Sequence, residues 1–164
     1  MYLAQNDLFE PLKRDLPIPA LCVDGSLDVG AGSLYGVNMW MGPRGSVSPL
    51  HYDPLDNLLM QFGGRKRALL FPATEADPTA ELAGRKDQRV GWYYAGPKDG
   101  GGGQYNTSAV DAENPDLDKF PLFSEAPPAI ECILAPGDTL FIPGKWWHHV
   151  RSLDSSVSAN IWWR

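Results

Sequence analysis

The distribution of apolar residues along the chain predicts short β-strands joined by turns. Alternating or continuous apolar runs are bounded by Gly, Pro, Asn and Asp. Helical periodicity is confined to brief stretches at 6–12, 75–82 and 114–120. Strands are predicted at 33–41, 47–52, 58–62, 67–71, 130–134, 139–143, 146–151 and 156–163. Short strands at regular spacing are typical of an antiparallel barrel or jelly roll, so the predicted fold class is all-β.

Size and charge narrow the class of protein. The 164 residues suit one domain, and a net charge of -6 gives no basic footprint for direct nucleic-acid binding. No apolar run approaches the roughly 20 residues of a membrane span, and the start of the chain lacks the pattern of a signal peptide. We therefore expect neither a nucleic-acid nor a membrane partner.

The two cysteines bear on the compartment. Cys22 and Cys132 lie in apolar surroundings without CxxC spacing, which indicates buried thiols in a reducing compartment. No basic targeting cluster is visible, so nucleus and cytoplasm are both expected.

One stretch, SPLHYDPLDNLLMQFGGRK, places an ionisable pair inside an apolar run. His51 and Asp53 are two residues apart, so in a strand both side chains point to the same face. One nitrogen and one oxygen ligand make two-thirds of a facial triad. Completed by a second His, such a triad leaves open metal positions and is typical of non-haem Fe(II) oxygenases.

The third ligand has two candidates. Only His148 and His149 remain, and both follow the segment GDTLFIPGKWW, 95 and 96 residues after Asp53. In an extended segment only one of two adjacent side chains faces the interior, and periodicity leaves the choice open. The alternatives are a surface ion pair with an ordinary core histidine, or a Zn-dependent hydrolase that uses the same His and Asp.

Several motifs together resemble a known family. The segments SPLHYDPLDNLLMQFGGRK, NTSAVDAENPDLDKFP and LAPGDTLFIPGKWWHHVRSLD and the ending WWR are similar to Jumonji-C (JmjC) oxygenases, in particular the protein arginyl hydroxylases among them. The similarity covers nearly the whole chain and fails mainly between residues 74 and 105, where a Gly-rich insert occurs. It implies a double-stranded β-helix (a cupin-like jelly roll) that uses Fe(II), 2-oxoglutarate and O2.

The resemblance also implies an activity. It predicts a dioxygenase that hydroxylates a protein side chain, with arginine as the first candidate. The alternatives are an N-methyl-lysine or N-methyl-arginine demethylase of the same chemistry, and a catalytically inactive JmjC binding module.

The family pattern implies roles for individual residues. The catalytic and metal-binding set becomes His51, Asp53 and His148, because the family's third ligand follows its aromatic pair. His149 stands where the family has Tyr, so we expect it to point outward. The implied 2-oxoglutarate-binding residues are Tyr2, Ser48, Asn57, Lys66 and Trp162, and the implied substrate-side residues are Gln5 and Trp40.

The implied charges balance. Fe(II) carries two positive charges and Lys66 one, whereas Asp53 carries one negative charge and 2-oxoglutarate two. A neutral assembly can be buried, and removing Lys66 would leave an unpaired carboxylate in a low-dielectric interior. A hydrolase has no need of such a cation, so Lys66 favours the oxygenase.

The resemblance has a gap at the start of the chain. Relatives carry further strands and substrate-gripping residues before the position of Tyr2, so residues 1–164 are expected to form an N-terminally short JmjC domain that lacks the first strands. An open sheet edge would follow, and it favours a homodimer through that edge.

Overall fold

The described part of the chain contains nine β-strands and one short α-helix. A computed structural model describes residues 3–73, 92–93 and 106–164. The helix α1 spans Glu10–Asp15. The strands are β1 (Leu3–Asp7), β2 (Leu34–Gly42), β3 (Val47–Tyr52), β4 (Asp56–Gly63), β5 (Lys66–Phe71), β6 (Ile130–Leu134), β7 (Thr139–Ile142), β8 (Trp147–Ser152) and β9 (Ser156–Trp163).

The strands form two antiparallel sheets. The larger sheet has the order β1-β2-β9-β4-β7 and the smaller sheet the order β3-β8-β5-β6. Strands β2 to β9 thus supply four strands to each sheet, and β1 adds to the edge of the larger one. This arrangement confirms the predicted all-β jelly roll.

Side-chain alternation in β9 separates the interior of the roll from its outer surface. Ala159, Ile161 and Trp163 belong to an apolar cluster with the N-terminal segment, which packs Leu16 and Cys22 against the same cluster. The intervening residues of β9 are also buried but polar or amphipathic, namely Ser158, Asn160 and Trp162. A polar interior between two apolar layers indicates a binding cavity rather than a simple core.

The outer face of the smaller sheet carries a second apolar layer. Leu50, Leu69, Phe71 and Trp147 pack there with side chains from outside the strands, among which are Tyr93, Val110, Phe120 and Phe123. Burying aromatic groups against this face stabilises the strands that carry the histidines.

The predicted helices differ from those observed. The helix near the N-terminus begins at Glu10, with Pro11 in its first turn, where the missing N–H costs nothing, and residues 3–7 form β1 instead. Segment 114–120 forms turns, with Phe120 N–H bonding the Asp116 carbonyl, and a 3₁₀ helix follows at Pro121–Glu125. The predictions at 75–82 and for the Gly-rich loop at 95–104 lie outside the described residues. Among the described helices, none is long and apolar enough to cross a membrane.

Candidate metal centre

A register irregularity in β3 places three polar side chains on one wall of the cavity. Between Ser48 and His51 the pairing of β3 with β8 shifts. In a regular strand these two residues, three apart, would face opposite ways, but both line the same pocket. Asp53 follows His51 by two residues and lines that pocket too. The extra residue therefore brings Ser48 to the face of the His-x-Asp pair.

His148 completes a compact three-residue group. It lies directly opposite His51 in the β3–β8 ladder, with ring centroids 4.2 Å apart. The His148 Nε2 atom is 3.8 Å from Asp53 Oδ2, and one ligand atom from each residue lies within 4.8 Å of the others. Such spacing lets two imidazole nitrogens and a carboxylate oxygen reach one ion.

Backbone carbonyls fix the orientation of both imidazoles. His51 Nδ1 is 2.7 Å from the Pro49 carbonyl oxygen, and His148 Nδ1 is 3.0 Å from that of Trp146. A carbonyl only accepts, so each Nδ1 carries the proton and each Nε2 keeps its lone pair. Metal-binding histidines are commonly held in this way.

Burial sets the charge state of the group. It lowers the pKa of His148 to about 3, with a smaller contribution from neighbouring His51, so this imidazole is neutral near pH 7. Burial also raises the pKa of Asp53, and the neighbouring His51 and Trp162 side chains partly offset that rise. A neutral imidazole beside a desolvated carboxylate is the protonation state that a metal cation requires.

His149 faces the opposite side of the smaller sheet. Its Nε2 is 3.4 Å from Glu113 Oε2, and burial lowers its pKa. Glu113 also accepts hydrogen bonds from Arg67 and Arg151. Only His148 of the adjacent pair therefore belongs to the group with His51 and Asp53.

Lys66 is a buried cation in the same pocket. It is 3% exposed, and its Nζ donates to Ser158 Oγ over 2.5 Å. Among the described residues, no carboxylate lies within salt-bridge distance of this ammonium group. Burial lowers its pKa to about 8. An ammonium group held this way is completed by an anionic ligand.

Further polar groups line the cavity between Lys66 and the three-residue group. Asn57 Oδ1 and Trp162 Nε1 are buried, and neither has a partner with good hydrogen-bond geometry in the described part of the chain, although the Trp162 N–H is close enough to Asp53 to lower the pKa of its carboxyl group. Trp40 Nε1 donates to Asn160 Oδ1 over 2.8 Å. The amide nitrogen of Asn160 therefore points away from Trp40. Buried polar atoms without partners are rare in well-packed protein cores and indicate a place for a ligand.

The cavity unites most of the predicted site residues. Eight of the ten lie there: Trp40, Ser48, His51, Asp53, Asn57, Lys66, His148 and Trp162. Tyr2 and the side chain of Gln5 lie outside the described part of the chain. Asn160 is absent from the predicted set, although its place two residues before Trp162 in an apolar strand could have indicated it.

Comparison with known proteins places this fold and cavity in a class. The model of the cupin-like domain family matches residues 3–164, and the chain belongs to that family. The chain is 42% identical over 165 residues to lysine-specific demethylase 8 of Xenopus tropicalis, covering 99% of this chain and 32% of that protein. It is 39% identical over 166 residues to JmjC domain-containing protein D of Dictyostelium discoideum, covering 96% of this chain and 33% of that protein. The resemblance to JmjC proteins is thus confirmed.

A solved structure is also similar. Escherichia coli ycfD superposes with a TM-score of 0.49 and 17% identity, over 80% of this chain and 26% of that chain. The chain spans about a third of the length of the two curated relatives.

Proposed function

We propose that this protein is an Fe(II)- and 2-oxoglutarate-dependent dioxygenase. The observation that carries the proposal is the buried Lys66 ammonium group, without a carboxylate partner among the described residues, in the same cavity as His51, Asp53 and His148. Across β5 and β8, Lys66 lies opposite Ser152, and Leu70 lies opposite His148. The two pairs are four residues apart along the strands, which corresponds to roughly 13 Å. A small dicarboxylate fits between two such fixed points.

The donor set fits the metal. Two Nε2 lone pairs and one carboxylate oxygen form a facial triad with positions left open, which suits Fe(II). When bound, the iron and 2-oxoglutarate together supply O2-dependent oxidation of a C–H bond, yielding succinate and CO2. The protein holds the imidazoles in the required tautomer.

The residues around the cavity suit the cosubstrate. Lys66 neutralises the far carboxylate of 2-oxoglutarate, and Ser48 and Asn57 offer hydrogen-bonding groups on the same pocket wall. Trp162 presents an N–H toward the Asp53 side of the cavity, where it lowers the pKa of that carboxyl group. Tyr2 would add a further contact with 2-oxoglutarate. Gln5 and Trp40 would face the substrate.

The substrate we propose is a protein or peptide side chain, with arginine first. Relatives named lysine-specific demethylase 8 favour a second candidate, removal of an N-methyl group by the same chemistry. Mass spectrometry of a treated peptide separates the two. Hydroxylation adds one oxygen atom, whereas demethylation removes one methylene and releases formaldehyde.

The first test measures succinate formed from 2-oxoglutarate with Fe(II), ascorbate and O2, which requires no knowledge of the substrate. We expect turnover by the wild type and none by His148→Ala, which loses a metal ligand. His149→Gln is the matched control, because it changes the neighbouring histidine on the opposite face and should retain turnover. A folded, iron-loaded wild type without turnover would contradict the oxygenase and favour a binding module.

We further propose a reducing location and self-association. The two thiols, buried Cys22 and half-buried Cys132, are free, which supports the nucleus or cytoplasm. Within the described residues β1 pairs only with β2, so its other edge faces no strand of that part of the chain. A second copy of the chain is the proposed occupant of that edge.

A further inference from the structure

The strand that carries the His-x-Asp pair lies at an edge of its sheet. On one side β3 pairs with β8, but on the other side it has no partner strand within the smaller sheet. The segment Asn106–Ser108 lies along that outer edge. His51 pairs with Thr107 in an isolated antiparallel bridge, and Ser108 N–H donates to the Leu50 carbonyl over 2.7 Å. Among the described residues, these three take the place of a neighbouring strand beside the candidate ligands.

Asn106 bonds both polar groups of one residue in β3. Its carbonyl accepts from Tyr52 N–H over 2.9 Å, and its side-chain amide donates to the Tyr52 carbonyl over 2.6 Å. Tyr52 stands between His51 and Asp53. Its N–H belongs to the peptide shared with His51, and its carbonyl belongs to the peptide shared with Asp53. Asn106 thus fixes both peptide planes that separate the two candidate ligands.

The Asn106 side chain acts where the strand itself ends. β3 ends at Tyr52, and the backbone then turns through Asp53 and Pro54. The main-chain bonds of segment 106–108 extend the ladder along β3. The bond from the Asn106 amide is the additional one, since it fixes the peptide leading into Asp53. From the other side, Lys145 N–H bonds the Asp53 carbonyl over 2.6 Å.

The same segment is anchored to the strands that carry the rest of the site. The buried hydroxyl of Ser108 accepts from Val110 N–H over 3.0 Å, and Val110 packs in the outer apolar layer. Glu113 then bonds Arg67 on β5 and Arg151 on β8. β5 carries Lys66 and β8 carries His148, so the position of Asn106 is tied to the same two strands.

We propose that Asn106 is a positioning residue of the metal centre, setting the angle between His51 and Asp53 through the Tyr52 peptides. The proposal rests on the proposed function, because it assumes that these two residues bind a metal. Asn106 touches neither the metal nor the substrate. Residues that orient metal ligands commonly change metal affinity about 10- to 100-fold when replaced.

The test measures binding of Mn2+ to the full chain by calorimetry, at a temperature where every variant is folded. Asn106→Leu keeps the number and branching of the side-chain heavy atoms and the main-chain bonds, and loses the hydrogen-bonding groups of the amide. Asn106→Ala removes the side chain. We expect both to raise the Kd for Mn2+ about tenfold or more. Asn114→Ala, an exposed asparagine of the same covering segment, should match the wild type.

A second readout separates positioning from simple stabilisation. Co2+ bound to the wild type and to Asn106→Leu should differ in visible absorption, because the ligand geometry changes. A lower Tm with unchanged Mn2+ affinity and an unchanged Co2+ spectrum would overturn the proposal. If the wild type binds Mn2+ no better than His148→Ala does, the metal centre itself is wrong and both proposals fall.

Discussion

Lys66 is a charged side chain that is almost fully buried in the candidate site. A lysine with 3% exposure loses most of its hydration, and one hydroxyl, that of Ser158, does not replace it. The structure tolerates this cost in a cavity that also holds three candidate metal ligands. The same burial lowers the pKa of Lys66 to about 8, so its charge is lost in a range that binding experiments can reach.

The affinity for 2-oxoglutarate should therefore depend on pH through Lys66. A dianion binds the protonated amine, so the Kd should be flat below about pH 8 and should rise about tenfold per pH unit above it. Calorimetry with the Mn2+-loaded protein between pH 7 and pH 9.5, as rough limits around that pKa, measures this slope. Lys66→Arg keeps its charge throughout, so its Kd should stay level. Equal slopes for both proteins would rule out Lys66 as the carboxylate partner.

The lowered pKa of His148 predicts how the free energy of unfolding of the metal-free protein depends on pH. The folded protein binds a proton there only near pH 3, whereas the unfolded chain does so near 6.5. The unfolded state thus binds more protons between these values, and the free energy of unfolding falls as pH decreases from 6.5. Urea denaturation at several values between about pH 5 and 7.5 should show a shallower decline for His148→Gln than for the wild type. Identical slopes would contradict a desolvated imidazole.

At the scale of elements, alternation and turn residues carry most of the fold. Strands 47–52, 130–134 and 156–163 are predicted with the observed bounds, because Gly, Pro or Asp flank the first two on both sides and Asp154 precedes the third. The helix predicted at 114–120 is wrong. Its acidic residues cap local turns instead, as when Asp116 Oδ1 accepts from Lys119 N–H. Such side-chain bonds compete with a helix, and periodicity alone does not reveal them.

The candidate site was predictable to the extent that spacing and resemblance identify its residues. The pair at His51 and Asp53 follows from a period of two, but the inward position of Ser48 depends on a bulge that the letters SPLH do not display. The roles of Asn106 and Asn160 arise from contacts across 54 and 120 residues of sequence. Contacts that distant depend on sheet order, and a single sequence contains no direct signal for them.

Two glycines with positive φ, Gly45 and Gly64, lie in turns next to β3 and β5, and their substitution tests the turn geometry. Gly64 joins β4 to β5 with φ +66°, and a Cβ there would overlap the carbonyl oxygen of Ser155. Gly45 precedes β3 with φ +84°, and open space surrounds its Cα. Gly45→Ala should cost only about 1 kcal/mol for the left-handed backbone. Gly64→Ala adds an overlap with rigid backbone and should cost roughly 3 kcal/mol or more.

Urea denaturation of both variants measures these costs, with unchanged m-values as the sign that two-state unfolding persists. Equal destabilisation by the two alanines would show that the approach of Gly64 to Ser155 is not as close as the structure has it.

At the scale of the whole molecule, the roll is enclosed differently at its two outer faces. The larger sheet is covered by the N-terminal segment and the smaller sheet by residues 92–93 and residues after 105, each through an apolar cluster. The polar cavity lies between the sheets. Both coverings are also attached to the strands of the site, so they support the walls of the cavity from outside the sheets.

β1 is the edge strand of the larger sheet, and we propose that its backbone N–H and C=O groups pair with a second copy of the chain. Leu8 N–H donates to the Val37 carbonyl, so by alternation the N–H of Asp7 points away from β2. We expect light scattering over a concentration series to show growth from monomer to dimer in the wild type. Asp7→Pro should stay monomeric, because it removes the outward donor and blocks strand pairing.

Asp7→Ala supplies the control for that experiment. It loses the exposed ion pair with Lys13, which contributes little, and keeps the backbone N–H, so it should dimerise like the wild type. A loss of dimer in both variants would assign association to the side chain instead of the strand edge. A wild type that remains monomeric and thermally stable at every concentration would contradict the edge of β1 as an association site. The strand would then be stable without a partner chain.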